Sequence, residues 1–334
     1  MIHTRLPASP ASLSLGGSNR GEPARQDSCL VTGGAGFIGS HLVTKLLADG
    51  YKVIVLDHST GENLSHLKND RNLLVVKIDI SVGVNKLARY FKDIDWVFHL
   101  AGKSSIALSI DKPTDCHKAN VNSTLYVLEA CRRAKIKKFV YAASSTCYGI
   151  PDVYPTPETA AIRPQYPYAL TKYIGEQYVL HWGKIYKLPV VSLRLFDIYG
   201  APVNKFGSFG PLLSIFMAQK LKGIPLTVAG DGTQRRDFTF VTDVVTAFIT
   251  AAKSKISDEV FNVGSGEIHT INEMAKFIGG KVAYIPKRSD ERDCNFADIS
   301  KIKKMLRWVP KVSFLDGMRK VMEAEGKMGK GREK

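Results

Sequence analysis

Cysteine is scarce in this sequence and is not arranged in pairs. The cysteines Cys29, Cys116, Cys131, Cys147 and Cys294 are odd in number, lie far apart and form no Cys-x-x-Cys motif. Because disulfide frameworks and structural zinc sites both use cysteines at short, paired spacings, the pattern indicates neither of them, and we expect no metal site. Free thiols fit a reducing compartment, so we expect a cytoplasmic protein.

Long hydrophobic runs are also missing. The most apolar segments, residues 138–144 and 189–196, end at a charge or a turn, well short of the ~20 residues that span a bilayer. We therefore expect no contact with a membrane. With 334 residues, 44% of them hydrophobic and 23% charged, the chain has the composition of a globular protein with one large domain or two joined domains.

Acidic residues are few relative to basic ones. The chain has 31 Asp and Glu against 47 Lys and Arg, so its formal net charge is +16 and its surface attracts anions. The basic residues occur in scattered pairs, such as 132–133 and 303–304, without a nucleic-acid-binding motif or an aromatic array. We interpret them as solvated surface charge and expect no nucleic-acid partner.

Periodic hydrophobic patterns occupy the middle of the chain. Short runs rich in Val, Ile and Leu alternate with helical patterns, and the runs are residues 29–32, 52–56, 73–78, 95–100, 138–143, 189–196 and 259–263. Nearly continuous apolar strands separated by helices predict a parallel sheet covered on both faces, which is a doubly wound α/β domain. After residue 196 the pattern becomes irregular, with helices predicted at 212–222, 241–253 and 271–278, and indicates a second, smaller substrate-binding domain.

The predicted domain organisation follows from these patterns. Residues 1–26 are rich in Ser, Pro, Gly and Ala and lack hydrophobic periodicity, which predicts a disordered tail. The sheet domain is assigned to residues 27–195 and 241–269, and the substrate-binding domain to residues 196–240 and 270–324. The Gly- and Lys-rich residues 325–334 are predicted to form a flexible tail.

A glycine motif directly follows the first predicted strand. Its residues are Gly33, Gly36, Phe37, Ile38 and Gly39. Glycines at this spacing allow a tight turn and a close approach of the backbone to a pyrophosphate at a helix N-terminus. The second strand ends in Asp57, whose carboxylate can bind both ribose hydroxyls of adenosine and repels a 2′-phosphate. The motif predicts a Rossmann domain that binds NAD rather than NADP, unless His58 or Lys52 weakens that preference.

Further positions after the next strands fit the same cofactor groove. They are Asp79 and Ile80 after the third strand, Leu100 and Ala101 after the fourth, and Asn120 in a helical pattern that continues to residue 133. The Asp79 carboxylate can meet the adenine amino group, and the residues after the fourth strand lie beside the pyrophosphate. Asn120 either contacts the cofactor or braces the sheet edge, and His99 is interpreted as a structural histidine.

A tyrosine and a lysine lie four residues apart in a later helical pattern. Tyr168 and Lys172 therefore share one face of a helix. The ammonium, together with a positive nicotinamide ring, is expected to lower the pKa of the phenol, so that Tyr168 acts as a base near neutral pH. Because this spacing also occurs in plain surface pairs, the discriminating residue is Ser144 at the carboxyl end of the fifth strand, where open α/β sheets bind ligands.

Several segments together carry a family resemblance. They are VTGGAGFIGSHL, VFHLAG, NVNSTLYVLEA, SSTCYG, YPYALTKYIGEQ, LRLFDIYG, GDGTQRRDFTFVTDVV and FADISKIKKML, and the resemblance extends over residues 29–317. In the order and spacing of these segments, the chain resembles an extended short-chain dehydrogenase/reductase of the NAD-dependent sugar epimerase/dehydratase family. The resemblance implies a catalytic triad of Ser144, Tyr168 and Lys172. It also implies that the motif glycines, Asp57, Asp79 and Lys172 contact NAD.

The residues after Ser144 discriminate between the reactions of that family. Dehydratases of the family have two acids there and related decarboxylases commonly have one glutamate, whereas this chain has Ser145 and Thr146. Without a second acid, the resemblance implies a nucleotide-sugar 4-epimerase that oxidises a UDP-hexose at C4 and reduces the 4-keto sugar from its other face. The alternatives are a 4-ketoreductase, a 4,6-dehydratase with acids supplied elsewhere, and a dinucleotide-binding redox sensor without turnover.

The resemblance also implies substrate contacts. Arg236 and Arg288 match two positions that clamp the substrate diphosphate, a task that suits a bidentate guanidinium. Asp197 stands where relatives have an asparagine beside the phosphates, so its carboxylate needs neutralisation, for which Lys205 and Arg236 are candidates. Asn295 matches a position beside the sugar C2 substituent, and is equally well explained as an exposed loop residue before a helix that starts at 296–298.

Two helical patterns, residues 116–133 and 166–187, carry apolar faces. In proteins that the chain resembles, these faces pack against their twofold copies in a four-helix interface, which implies a homodimer. From the sequence alone, the same apolar faces could instead belong to the core.

Overall fold

The computed structural model of this chain describes residues 27–59, 62–201, 212–287 and 292–330, and of residues 326–330 it describes the backbone alone. The predicted tail 1–26 lies outside the described residues, and so do Arg288 and Lys205. In the described part of the chain, no helix is both long enough and apolar enough to cross a membrane.

A seven-stranded parallel sheet forms the centre of the protein. Its strands, numbered along the chain, are β1 (Ser28–Thr32), β2 (Lys52–Asp57), β3 (Leu73–Lys77), β4 (Trp96–His99), β5 (Lys138–Ser144), β6 (Val190–Leu195) and β11 (Glu259–Val263). They lie in the order β11-β6-β5-β4-β1-β2-β3, and neighbouring strands are parallel. Every residue of β4 and β5 is buried, as expected for strands covered on both faces. The predicted doubly wound α/β fold is confirmed.

The direction of strand addition reverses between β1 and β4. From β1 the chain moves outward to β2 and β3, and from β4 it moves the opposite way to β5, β6 and β11. The connections that follow β1 and β4 therefore separate and leave a crevice at the carboxyl edge of the sheet. Open α/β sheets bind their ligands at such a point.

Helices cover both faces of the sheet. On one face lie α1 (Phe37–Ala48) and α8 (Val241–Lys253); on the other lie α2 (Val84–Leu87), α5 (Ser123–Ala134) and α6 (Pro167–Tyr186), with α3 (Ile106–Asp111), α4 (Pro113–His117) and a π-helical turn (Lys118–Asn122) leading into α5. Leu42 of α1 and Phe248 of α8 are fully buried in the first core. Leu128 of α5 and Val179 of α6 are fully buried in the second.

The remaining segments form a smaller unit with its own core. They are β7 (Ile198–Tyr199), α7 (Leu212–Leu221), β8 (Leu226–Ala229), β9 (Arg235–Arg236), β10 (Thr239–Phe240), β12 (His269–Thr270), α9 (Ile271–Ile278), β13 (Val282–Ile285), β14 (Cys294–Asn295) and α11 (Phe314–Lys330). Strand β9 lies between β12 and β14, and β8 pairs with β13. Phe216, Met274 and Met318 are fully buried in the core of this unit.

Two segments depart from the predicted domain organisation. Helix α10 (Ser300–Leu306) was assigned with 270–324 to the substrate-binding domain, but Ile302 and Trp308 are buried in the core beneath α1 and α8. Their apolar side chains are buried against the sheet domain, a contact that the local sequence does not reveal. Helix α11 continues to Lys330, so the segment 325–334, predicted to be a flexible tail, begins as a helix.

Candidate active site

The glycine motif forms a tight turn between β1 and α1. Gly33 has a φ of +71°, and a Cβ at this position would lie 2.7 Å from the amide nitrogen of Ala101. A Cβ on Gly39 would overlap the carbonyl oxygen of Gly33, so the helix can approach the turn only because this residue is glycine. Gly36 is the N-cap of α1, and no side chain caps this end of the helix. The turn therefore leaves backbone N–H groups at a helix N-terminus for an anion such as a pyrophosphate.

The neighbours of the turn are arranged as the motif requires. Phe37 and Ile38 are the first two residues of α1, and the partly buried Ile38 packs against both adjacent cores. The N–H of Leu100 donates to the carbonyl oxygen of Thr32 at 3.1 Å, and the N–H of Ala101 donates to the Thr32 hydroxyl at 3.3 Å. These contacts hold the end of β4 against the turn, where the sequence predicts the pyrophosphate.

Asp57 lies beside the turn at the end of β2. Its carboxylate is 6% exposed and accepts hydrogen bonds from the backbone N–H of Ala35 at 3.0 Å and of Ser59 at 2.9 Å. Each carboxylate oxygen has a second lone pair for a ribose hydroxyl. His58 Nδ1 lies 3.3 Å from Asp57, whereas Lys52 begins the same strand and so lies at the opposite edge of the sheet. Of the two bases, His58 alone is close enough to weaken a preference against the 2′-phosphate.

The third strand is followed by Asp79 and Ile80. Asp79 is exposed and caps a short 3₁₀ turn by accepting the N–H of Ser81 at 2.8 Å, and these hydrogen bonds hold the pKa of its carboxyl below the usual value. Ile80 is buried in the core between the sheet and α5. The structure thus leaves the Asp79 carboxylate accessible at the carboxyl edge of the sheet.

His99 at the end of β4 is a structural residue, as interpreted from the sequence. It is fully buried, with Nδ1 2.6 Å from the Thr32 hydroxyl and Nε2 2.9 Å from the Thr124 hydroxyl. Burial lowers its pKa to about 3, so the ring is neutral at physiological pH.

Asn120 braces the helix that carries Tyr168. Its side-chain amide accepts the N–H of Lys103 at 2.7 Å and donates to the Thr171 hydroxyl at 3.0 Å. Thr171 in turn donates to the carbonyl oxygen of Tyr168 at 2.9 Å. The sequence left open whether Asn120 braces the sheet edge or contacts the cofactor; its contacts in the structure brace α6, and the cofactor contact stays a prediction.

The predicted triad meets where β5 ends against α6. Ser144 is the last residue of β5, and its hydroxyl lies 2.8 Å from the Thr146 hydroxyl. Tyr168 and Lys172 lie in the first two turns of α6, with a hydrogen bond between the side chains of Tyr168 and Ser144. The three side chains therefore lie at the carboxyl edge of the sheet, on the same edge as the glycine turn.

Burial acts on the pKa values of both Tyr168 and Lys172. Desolvation raises the pKa of Tyr168 to about 12, with the Ser144 hydrogen bond opposing the rise. Burial lowers the pKa of Lys172 to about 7, with Glu176 opposing the fall. On a rising pH scale Lys172 loses its proton before Tyr168 does, so its charge cannot lower the pKa of the phenol unaided. The predicted lowering of the phenol pKa depends on the ammonium together with the positive nicotinamide ring, and it stays a prediction.

The predicted substrate residues have partners that the sequence did not reveal. Asn295 lies in β14 and is 8% exposed, so its interpretation as an exposed loop residue is wrong. Its amide donates to the Asp197 carboxylate at 2.5 Å and lies 3.5 Å from the Ser145 hydroxyl. Asp197 is thus paired with a neutral amide from a strand 98 residues away in the chain. The N–H groups of the Arg236 guanidinium donate to the carbonyl oxygens of Arg235 and Arg292 at 3.0 and 2.8 Å.

Sequence reasoning missed two residues that contact the N-terminal end of α6. The Ser109 hydroxyl accepts the backbone N–H of Tyr168 at 3.1 Å, and the Arg292 guanidinium donates to the hydroxyl of Tyr166 at 3.1 Å. Neither contact has a signal in the local sequence, because each joins segments that are distant along the chain. Ser109 fixes the start of α6 and so helps to position Tyr168.

An apolar groove lies next to the site, between α4 and the start of α6. It encloses about 580 Å³ and is lined by residues that include Pro113, His117, Leu170 and Ile174. Leu170 is a large apolar side chain of α6 and is 46% exposed. His117, Leu170 and Ile174 belong to the segments 116–133 and 166–187, from which the sequence predicts an interface with a second copy, whereas Pro113 lies just before the first segment.

Comparisons with known proteins agree with this geometry. The NAD dependent epimerase/dehydratase family matches residues 29–264. A crystal structure of UDP-glucose 4-epimerase from Thermotoga maritima with UDP-glucose is 35% identical, has a TM-score of 0.84 and is matched over 90% of this chain and 99% of its own.

Two further relatives show the range of the family. The UDP-glucuronic acid 4-epimerase of Bacillus cereus, in complex with UDP-glucuronic acid and NAD, is 30% identical with a TM-score of 0.82, over 90% of this chain and 99% of its own. A UDP-N-acetyl-alpha-D-glucosaminuronate decarboxylase of Bacillus cytotoxicus is 31% identical over 88% of this chain and 96% of its own. The chain belongs to the NAD-dependent epimerase/dehydratase family, and its cofactor is NAD.

Proposed function

We propose that this protein is a nucleotide-sugar 4-epimerase that acts on a UDP-hexose. One observation carries the proposal: Ser144, Tyr168 and Lys172 lie together at the carboxyl edge of the sheet, and the two positions after Ser144 hold hydroxyls instead of acids. The Thr146 hydroxyl contacts Ser144 at 2.8 Å and cannot ionise as a second catalytic acid. A site that moves one proton and one hydride suffices for epimerisation and lacks the additional groups that elimination of water requires.

The residues of the site divide the work of the reaction. NAD, when bound, takes a hydride from sugar C4 and returns it. Tyr168 takes the proton of the C4 hydroxyl, and Ser144 holds the same oxygen through a hydrogen bond. The 4-keto sugar turns over in the pocket, and Tyr168 then returns the proton to O4. Since Tyr168 is a neutral phenol at physiological pH without further positive charge, this mechanism needs the charge of the oxidised nicotinamide beside it.

The cofactor contacts belong to the same proposal. The backbone N–H groups of the glycine turn, from Gly33 to the start of α1, hold the pyrophosphate. Asp57 binds the adenosine ribose, and Asp79 meets the adenine amino group. Lys172 donates to the nicotinamide ribose and to Tyr168.

Substrate binding is assigned to the smaller unit. Arg236 and Asn295 are paired neighbours on β9 and β14, so the proposed diphosphate contact and the proposed sugar contact lie side by side. Relatives solved with UDP-glucose and UDP-glucuronic acid support a UDP-sugar as the substrate. Arg288 is proposed as the second diphosphate contact.

A 4,6-dehydratase remains the second candidate because of Asp197. The Asn295 amide contacts both this carboxylate and the Ser145 hydroxyl. Because Ser145 directly follows the triad residue Ser144, these contacts bring Asp197 near the triad. An acid in this place could supply the proton transfers that Ser145 and Thr146 cannot. The two functions give different products, since a dehydratase yields a 4-keto-6-deoxy sugar and an epimerase retains the hexose.

We also propose that the active protein is a homodimer. In this dimer, the groove between α4 and α6 packs against the same groove of a second copy, and this contact covers Leu170. The partly exposed apolar side chains of both walls support this arrangement.

The test is product analysis with a panel of UDP-, dTDP-, GDP- and CDP-sugars. We expect conversion of a UDP-hexose into its C4 epimer without net change in NADH absorbance. The control Tyr168→Phe is expected to retain NAD and to lose a factor on the order of 10² or more in turnover. A 4-keto-6-deoxy product would establish the dehydratase, net NADH consumption the ketoreductase, and NAD binding without turnover of any sugar the redox sensor.

A further inference from the structure

The aromatic ring of Tyr141 lies directly against the side chain of Lys172. Tyr141 is a fully buried residue of β5, and the Nζ atom of Lys172 on α6 lies 4.3 Å from the centroid of its ring. A cation within about 6 Å of an aromatic face is attracted by the negative charge density of that face. The ring thus meets the ammonium from the side of the sheet.

The ring is held in this position by its neighbours. The Tyr141 hydroxyl donates to the carbonyl oxygen of Lys172 at 3.4 Å and is hydrogen-bonded to Thr124. The His99 ring stacks on Tyr141 with centroids 5.7 Å apart and an interplanar angle of 28°. Because His99 is neutral, it adds no positive charge that would compete with Lys172 for the ring.

Gly175 gives the ring its space. A Cβ on this residue would overlap the hydroxyl oxygen of Tyr141 and lie 3.1 Å from its Cζ atom. Glycine weakens the interior of a helix, and Gly175 lies near the middle of the 20-residue helix α6. Its presence there has a tertiary cause, since any larger residue would push Tyr141 away from Lys172.

The ammonium has no anionic partner in contact. Across the described residues, no carboxylate and no hydrogen-bond acceptor contacts the Lys172 Nζ atom. Glu176, one helical turn further along, is engaged by Arg194 at 2.6 and 3.0 Å and by Ser192 at 3.1 Å.

The ionisable groups near Lys172 come from every element packed around it. They are Tyr168 and Glu176 on its own helix, Cys116 on α4, His99 on β4 and Tyr141 on β5. Of these, Glu176 and, to a smaller extent, Cys116 favour the ammonium, and Glu176 is already paired with Arg194. A buried ammonium in such surroundings needs another source of stabilisation.

We propose that Tyr141 is a positioning residue of the active site, whose ring face holds the Lys172 ammonium in place and keeps it charged. A carboxylate would occupy one or two of the three N–H donors of the ammonium, whereas an aromatic face leaves them available. Lys172 can then direct its donors to the cofactor ribose and to Tyr168. This inference rests on the role proposed above for Lys172.

The experiment varies the electron density of the ring at constant shape. Tyr141→Phe is compared with 4-fluoro-, 3,5-difluoro- and 3,4,5-trifluorophenylalanine at the same position, each of which makes the ring face less negative. The readout is the pH dependence of NAD affinity measured by calorimetry, together with the pH profile of kcat/KM for the UDP-hexose. The matched control carries the same fluorinated residues in place of Phe139, two residues earlier on β5. Phe139 is fully buried, and in the described part of the chain no cation lies over its ring.

We expect Tyr141→Phe to keep the wild-type pH profile, because the ring remains. Successive fluorines at position 141 should lower the pH at which NAD affinity is lost, by about one pH unit in total. In the Phe139 series this pH should stay constant. A profile that does not depend on the number of fluorines would overturn the inference.

Two measurements separate this inference from the proposed function and from folding. NAD affinity does not require a correct sugar, so a shift in NAD binding without epimerase activity would refute the proposed function and leave the inference standing. Melting temperature identifies a variant that fails to fold. Gly175→Ala offers a second test: we expect it to lower NAD affinity in the Tyr141 protein, and to do so less in Tyr141→Phe, where the overlapping oxygen is absent. Equal losses in both backgrounds would contradict the geometry.

Discussion

Replacing Glu176 by glutamine is expected to destabilise the fold strongly, because it leaves a buried guanidinium without its counter-ion. Arg194 Nη2 lies 2.6 Å from Glu176 Oε1 and Arg194 Nε lies 3.0 Å from Oε2, while the two side chains are 6% and 1% exposed. Arg194 also donates to the Tyr148 hydroxyl at 2.8 Å, and its guanidinium lies 4.8 Å from the ring of Tyr148. The pair joins α6 to β6 one helical turn after Lys172.

Removing one partner of a buried ion pair costs about 3–5 kcal/mol, chiefly because the remaining charge stays buried. At roughly 1.4 °C per kcal/mol for a chain of this size, Glu176→Gln should lower the melting temperature by about 4–7 °C. Arg194→Met should show a pH dependence that Glu176→Gln lacks. In Arg194→Met the Glu176 carboxylate is buried without its counter-ion, and burial disfavours its charged form, so we expect the variant to be less stable at pH 8 than at pH 5.5.

The assay is urea and thermal unfolding of both single variants and of the double variant at pH 5.5 and pH 8. The double variant removes both charges. We therefore expect its loss of unfolding free energy to be smaller than the sum of the two single losses by about 2 kcal/mol or more. The control is Asp152→Asn, which breaks the exposed pair between Arg163 and Asp152 and should change stability little. Additive single effects, or a loss for Glu176→Gln as small as that of the control, would refute the reasoning.

Three further outcomes are expected. Asp57→Ala and Asp57→Asn should each raise the affinity for NADP relative to NAD by about tenfold or more, because both remove the charge that opposes the 2′-phosphate. Calorimetry with both cofactors checks this prediction, and a wild type that prefers NADP contradicts it. Leu170→Glu should convert the proposed dimer into a monomer, because it places a charge in the proposed interface. Leu315→Glu is the control and should leave the dimer intact, since Leu315 is 50% exposed on α11. Light scattering measures both, and a monomeric wild type at micromolar concentration would exclude the interface. Asn295→Tyr should lower kcat/KM for an N-acetylated UDP-hexose tenfold to a hundredfold and leave kcat/KM for the plain hexose unchanged, because overfilling a pocket costs about 1–3 kcal/mol. The control Asn295→Ser should leave both values unchanged. An unchanged ratio of the two values in Asn295→Tyr would place residue 295 outside the sugar pocket.

Patterns within single elements were sufficient to predict most of the fold. The strand 259–263 and the helices 241–253 and 271–278 are found at the predicted residues, because apolar spacing follows directly from the geometry of a strand or a helix. The glycine turn and the placement of Tyr168 and Lys172 on one helix face have the same local origin. For these features, the residues that determine the structure are neighbours in the chain.

Other features depend on contacts between distant segments. Asn120 contacts Thr171 on a distant helix, while its contact with the cofactor stays a prediction, and whether Asn295 is exposed was decided by Asp197. Helix α10 has apolar residues that suit either domain, and the sheet domain provides the surface that buries Ile302. No periodicity within the chain encodes which of two possible surfaces a side chain will meet.

By itself, the sequence determined that this protein folds as a doubly wound sheet with a dinucleotide turn, and it predicted that the chemistry depends on Tyr168 and Lys172. The protonation of these two residues was decided by the tertiary structure alone. Desolvation of Tyr168 and burial of Lys172 act in opposite directions on the two pKa values, and the face of Tyr141 comes from a different strand. The spacing of four residues brings the phenol and the ammonium to one helix face, but their charges depend on how much water the surrounding protein excludes, which is a property of the packed molecule.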